Sequence, residues 1–327
     1  MTETRDTYTA RDIPELLDLL PALFGFSPKQ SFIAIATHGE HHRFGFRLRM
    51  DLPPLEHAQP AAGQIADYLR RQDPDGAVLL AVTDRRTEAD ALMTAVLANL
   101  GDLPVHDAVR TDGERYWSYL RGGSAEGVPY VSQCSPAVVG AIVSGMQILP
   151  DREALVARFA PVAGAREKVM AAATDKVLGR ALKEIAAAPK ADLGNIGMAL
   201  LRPILDSHPL GRKLTDPECA TLAIWVSSKR VRDEVWASIR RDNAVASLEL
   251  WTEVAQSVVA PFEAPVLCLA AFAAWLCGDG TQALIAAERA VAVEPGYAMA
   301  RLILGTIENG ISPEHWRGFD AGMPTTS

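Results

Sequence analysis

Apolar and polar positions along this chain change rhythm once, near residue 150. Before that point short apolar runs alternate with helical ones. Residues 12–23 space Ile13, Leu16, Leu17, Leu19, Leu20 and Leu23 at helical intervals, with Asp12 placed to cap and Pro14 in the first turn. Pro21 and Gly25 are placed to end or kink that helix. Residues 31–37 read as an apolar strand, His38 to His42 as a polar turn and residues 43–51 as a second strand, an antiparallel hairpin by pattern. A helix at 61–71, a strand at 77–83, a helix at 88–100 and a strand at 105–110 come next. That alternation predicts βαβ units and a partly parallel sheet. A strand at 115–120 folds back across the Thr111-Asp112-Gly113 turn, and a glycine-rich loop then leads to a short strand at 128–133 and a helix at 137–146.

Past Pro150 the period stays helical, over 152–160, 165–187, 193–205, 219–226, 231–239, 244–259, 266–277, 282–293 and 297–308. Trp275, Gly278, Ala283, Ala287, Ala290 and Pro295 fall where a tetratricopeptide-like helix pair places a large residue, a turn glycine, small interface residues and a terminating proline. The fold class read from this pattern is an α/β N-terminal domain with a mixed sheet, then an all-α, tetratricopeptide-like domain. The domains are drawn at 1–160 and 161–318, the helix pair at 264–295, and a disordered tail at 319–327.

Composition narrows the function classes. The net charge is −8; residues 1–160 hold 15 Lys+Arg against 21 Asp+Glu, and residues 161–327 hold 17 against 19. Neither half is a basic module, which argues against nucleic acid as a partner. The N-terminus lacks the apolar core of a signal peptide, and the longest nearly uncharged run, Ala264 to Gly278, is shorter than the about 20 residues that span a bilayer. The cysteines Cys134, Cys219, Cys268 and Cys277 are scattered, as reduced thiols of a cytoplasmic protein are.

The richest stretch chemically is Asp112 to Arg121. Alternation puts Arg115, Trp117 and Tyr119 on one strand face and Tyr116, Ser118 and Leu120 on the other. A face of cation, indole and phenol suits something flat or anionic. Arg47, Arg49 and Asp51 share a face of their strand, and convergence with Arg115 and Arg121 would make an anion site, because guanidinium forks match phosphate and carboxylate oxygens. The bland alternative is a solvated sheet face. The His38-Gly39-Glu40-His41-His42 turn holds permissible zinc ligands without a rigid frame, so it reads as a polar turn and no metal is assigned. Lys229, Arg230, Arg232, Arg240 and Arg241, interrupted by acids, read as a charged helix face. Trp225, Trp236, Trp251 and Trp275 read as core, and Asp84 as a polar loop residue at a strand end. The phosphate-loop, dinucleotide, zinc-protease and nucleophile-elbow motifs are missing, Ser144-Gly145 lacking the preceding glycine of the last.

Several phrases recur together: Leu20-Pro21-Ala22-Leu23-Phe24-Gly25-Phe26-Ser27-Pro28, Arg49-Met50-Asp51-Leu52-Pro53, Tyr116-Trp117-Ser118-Tyr119, Val143-Ser144-Gly145 before Leu149-Pro150-Asp151-Arg152-Glu153, and the Trp275 to Pro295 helix pair. In this combination and order the chain resembles the actinobacterial family called "domain of unknown function 4192". The resemblance spans nearly the whole chain and implies a cytoplasmic actinobacterial protein, with no activity attached. Where family members place paired cysteines after the Trp-Ser-Tyr segment, this chain has Arg121-Gly122-Gly123-Ser124, so no metal or redox role is implied there.

The functional expectation is a non-enzymatic binding or assembly protein without a cofactor. Its α/β domain would recognise a ligand or partner, and its helical domain would dock a protein or a second copy of the chain. The alternative is an enzyme or regulator acting on a small anionic metabolite or nucleotide. Arg47, Arg49, Arg115 and Arg121 would then bind the anion, with Asp51 or Asp84 as base.

Overall fold

In a computed structural model, residues 10–122, 125–133, 136–143, 148–187, 192–208, 212–313, 316 and 318 are described. The tail at 319–327, Cys134, Ser144-Gly145 and the Gly123-Ser124 part of the glycine-rich loop lie outside them. The chain divides into two compact units, Met1–Leu155 and Val156–Ser327.

The first unit is built on a six-stranded mixed sheet. Its strands are β1 (Ser31–His38), β2 (Arg43–Asp51), β3 (Gly76–Val82), β4 (Val105–Thr111), β5 (Arg115–Ser118) and β6 (Val128–Pro129), in the order β2-β1-β3-β4-β5-β6. Only the β3–β4 pair is parallel; the other neighbours run antiparallel. The twelfth-residue cap and the two prolines act as the pattern predicts. Asp12 accepts from the Glu15 N–H to start α1 (Ile13–Asp18), and the run breaks at Leu19 into α2 (Leu20–Phe24), which Gly25 ends at φ 74°. The helices α3 (Ala58–Arg70) and α4 (Arg86–Leu100) flank β3, and α4 makes the crossover to β4 that a parallel pair requires. A short α5 (Pro136–Val143) follows β6.

Register fixes which side chains share a face. Met50, Phe32, Ala81, Arg110 and Trp117 are consecutive partners across five strands, and Arg49, Ile33, Leu80, Val109 and Ser118 form the adjacent row. Side chains alternate along a strand, so the two rows lie on opposite faces. Phe32, Ala81 and Met50 pack with Ile65, Leu69, Leu92, Met93 and Val96 of α3 and α4, which identifies the face carrying Arg110 and Trp117 as the helix-covered one. On the other face the Arg49 guanidinium sits 5.7 Å from the Phe26 ring.

The second unit is helical. Its members are α6 (Arg152–Ala157, across the division), α7 (Gly164–Ala187), α8 (Leu193–Ser207), α9 (Asp216–Val226), α10 (Lys229–Ser238), α11 (Ala244–Ala255), α12 (Glu263–Leu276), α13 (Gly280–Val293) and α14 (Ala298–Glu308). Every residue of α12 is buried, which suits the central position of a helix packed by α11, α13 and α14. Gly278, at φ 77°, makes the turn from α12 to α13. Glu263 and Arg289 bridge α12 and α13 at 3.1 Å, both side chains largely sealed from water. Among the described residues no helix is long and apolar enough to cross a membrane.

Candidate functional site

The hairpin of β4 and β5 sets Arg110 opposite Trp117 on the helix-covered face. The Arg110 guanidinium carbon lies 3.6 Å from the centre of the Trp117 ring, a stacked cation–π contact. Gly127 holds the ring from the other side. A Cβ placed on it would lie 2.5 Å from Cε2, 2.7 Å from Nε1 and 2.8 Å from Cζ2, distances that place it over the ring face rather than at the edge. Two groups at such separations cannot share one face, so Trp117 is sandwiched between Arg110 and the Gly127 backbone. The glycine is required twice, since its φ is also 72°.

The 125–127 loop is fastened onto β5 by the strand's own side chains. Trp117 Nε1 donates to the Ala125 carbonyl at 3.1 Å, and Arg115 donates to the carbonyls of Glu126 at 2.7 Å and Gly127 at 3.2 Å. Thr111 Oγ1 receives the Gly113 N–H, and Asp112 receives those of Glu114 and Arg115, so the connecting turn is held by side chains.

Arg110 is 5% exposed. Its Nη1 donates to the Thr83 carbonyl at 3.3 Å, and among the described residues no carboxylate lies within ion-pairing distance. A guanidinium withdrawn from water without an acid is costly, which calls for something else to meet its remaining N–H groups. It borders a cavity of about 370 Å³ whose lining includes Arg86, Asp90, Trp117, Tyr119 and Arg121. The cavity adjoins the carboxyl end of the parallel pair, where open α/β sheets place ligands, because Arg110 is the next-to-last residue of β4 and Thr83 follows β3.

The charge around it is positive. Arg86, the first residue of α4, pairs with Asp90 at 3.2 Å, and Tyr119 donates its hydroxyl to the other oxygen of Asp90 at 2.5 Å. Burial, reinforced by that bond, raises the Tyr119 phenol far above its ordinary value, so it stays protonated. Arg121 pairs with Asp107 at 3.2 Å; burial raises the Asp107 carboxyl above its usual range, opposed by Arg121. Three arginines thus line the cavity, against Asp90 within the lining, while Asp107, the partner of Arg121, lies outside the lining on the sheet face of Val109. What the lining offers an incoming molecule is N–H donors and a site for negative charge.

Of the residues singled out from sequence, Trp117, Tyr119 and Arg121 border this cavity. Arg115 does not; it clamps the loop instead. Arg47, Arg49 and Asp51 are elsewhere: β2 stands four strand steps from β5, about 19 Å at ordinary spacing, and the row of Arg49 faces the opposite side from that of Trp117. The expected convergence of these arginines with Arg115 and Arg121 is therefore corrected. Arg49 has a packing duty, its side chain buried against Phe26 and bonded to Ser31 Oγ at 2.9 Å and Asp51 at 2.6 Å, and burial lowers its pKa against the pull of Asp51. The flat-ligand expectation for Trp117 is corrected too, because both faces of its ring are taken.

The other candidates resolve into structure. The histidine turn puts His42 against His106 at 3.8 Å between ring centres, and among the described residues no group of three metal-ligating side chains gathers. Asp84 accepts from Gln30 Nε2 at 2.7 Å. In the basic run, Arg230 pairs with Asp192, and Arg232 with Asp233 and the Tyr297 hydroxyl. Trp225, Trp251 and Trp275 are core residues, while Trp236 is half-buried.

Arg110, Arg86, Asp90 and Gly127 are not singled out as site residues by the sequence. Arg110 had a signal: alternation puts it with Ala108 on the inward face of β4, and a cation on the inward face of a strand is unusual. Arg86 and Asp90, four apart on a helix, carry no such mark, nor does one glycine in a glycine-rich loop.

A family model described as "Domain of unknown function (DUF4192)" matches residues 14–314, and the chain belongs to that family. No curated protein and no solved structure matches it.

Proposed function

We propose that this member of the DUF4192 family is a ligand-recognition protein whose α/β unit takes a small anionic molecule into the cavity beside β4 and β5. One observation carries the reading: Arg110 is buried without an acid partner, held flat by Trp117, and borders a cavity rimmed by two further arginines. A preorganised guanidinium loses little freedom on binding an oxyanion, which is why arginine serves such sites. In the helical unit the tetratricopeptide-like reading has support of its own. Ala283, Ala287 and Ala290 are fully buried between packed helices, Trp275 is buried, and Gly278 turns the pair. Helix pairs of that kind dock proteins, so the second unit is assigned to a protein partner or a second copy of the chain.

Thermal unfolding of the full chain against a panel of phosphorylated metabolites, nucleotides and dicarboxylates tests the first assignment. A ligand at 100 times its Kd adds about 2.7 kcal/mol of stability. The expected outcome is such a shift with at least one anion and its loss in Arg110→Gln. A flat panel, or binding retained by Arg110→Gln, overturns the reading.

A further inference from the structure

We propose, building on that anion-site reading, that the ligand is a phosphate monoester, its phosphoryl group held by Arg110 and grasped by Arg86 and Arg121 from either side. Arg110 comes from β4, Arg86 from the first turn of α4 and Arg121 from beyond β5, so the three donors approach one cavity from separate elements. A carboxylate is planar, carries one charge and is satisfied by a single guanidinium fork. A phosphate monoester presents three terminal oxygens around a tetrahedron and about −1.5 to −2 charge near neutral pH, which matches donors from several directions.

The outer two arginines are free to move to it. Arg86 and Arg121 are each about two-thirds exposed, and their pairs with Asp90 and Asp107 both measure 3.2 Å. Exposed pairs of this kind contribute little, so exchanging the acid for a phosphate oxygen costs little. Arg110 is the fixed member, since Trp117 and the Thr83 carbonyl hold its plane. The cavity exceeds what a bare phosphate fills, and Ile13, Ala125 and Val128 add apolar surface to its lining. The body carrying the phosphate is therefore apolar or ring-like, and it lies beside Trp117 rather than stacked on it. Trp117 and Gly127 are positioning residues in this scheme.

Isothermal titration of the full chain with phenyl phosphate, benzoate and inorganic phosphate tests the inference. Phenyl phosphate is expected to bind at least about tenfold tighter than either of the others. Arg86→Gln and Arg121→Gln, both surface changes, should each weaken phenyl phosphate more than benzoate and so shrink the ratio of their affinities. Arg110→Lys keeps the charge but loses the fork and should weaken both organic anions. Benzoate binding as tightly as phenyl phosphate overturns the phosphoryl assignment while the anion site stands. Inorganic phosphate binding as tightly as phenyl phosphate overturns the monoester and assigns the site to the free ion. A preference unchanged in both surface variants overturns the grasping role of Arg86 and Arg121. If none of the three binds, the phosphate-monoester inference fails, and the metabolite panel alone decides the anion site.

Discussion

At the scale of single residues, the site depends on one missing methyl group. Gly127 approaches Trp117 so closely that any Cβ would fall 2.5 Å from the ring, and its backbone is left-handed. The neighbour it would strike is a ring whose other face is already stacked on Arg110. Gly127→Ala is therefore expected to destabilise the α/β unit by about 1–3 kcal/mol, the range for overpacking and left-handed strain. Urea unfolding checks this, and near-ultraviolet circular dichroism should show the indole displaced. The anion response of Arg110 should weaken in the same variant, because the ring that orients the guanidinium has moved. Gly113→Ala, which also has a positive φ but open space around the new methyl, separates the two effects: it should lose stability and keep the anion response.

At the scale of elements, the β1–β2 hairpin is tied to β4 through histidine. The His42 ring rests on His106, and His106 Nε2 lies 3.1 Å from Thr37 Oγ1 in the space left by Gly76. Burial first, and the neighbouring His42 second, lower the His106 pKa, with Asp107 pulling the other way. The folded state thus favours neutral His106. Its contribution is fully present above the unfolded value near 6.5 and is lost as pH falls through the depressed folded value. Urea midpoints of the wild type should accordingly decline from pH 7 toward pH 5. The His106→Gln variant should start lower and decline less over that window; parallel curves would exclude this titration as the cause. Most elements of this kind were legible beforehand. The hairpin, the β3-α4-β4 crossover and the run of helices beyond residue 150 follow from apolar spacing and turn residues, which are local properties. The ends differ by a few residues: α3 begins at Ala58 rather than 61, because Pro60 is tolerated in a first turn.

At the scale of the molecule, sheet order decided where the chemistry lies. Arg47 and Arg115 occupy similar strands in sequence terms, yet β1, β3 and β4 come between them. Ligand protection is expected in one part of the chain. Hydrogen exchange with a bound anion should slow across β4, β5 and the first turn of α4, while β2 and helices α9 to α14 exchange as before; protection at β2 instead would restore the discarded arginine cluster. The α/β part with its mixed sheet, the helical part after it, the shared face of Trp117 and Tyr119, and family membership were readable from the sequence because they depend on period and short motifs. Which arginines meet was decided by strand order and register. The stack of Arg110 on Trp117, the loop laid across the ring and the acid-free burial of Arg110 are contacts between residues 7 to 27 positions apart, or more. Alternation says which way a side chain points; only the assembled sheet and its loops say what it points at.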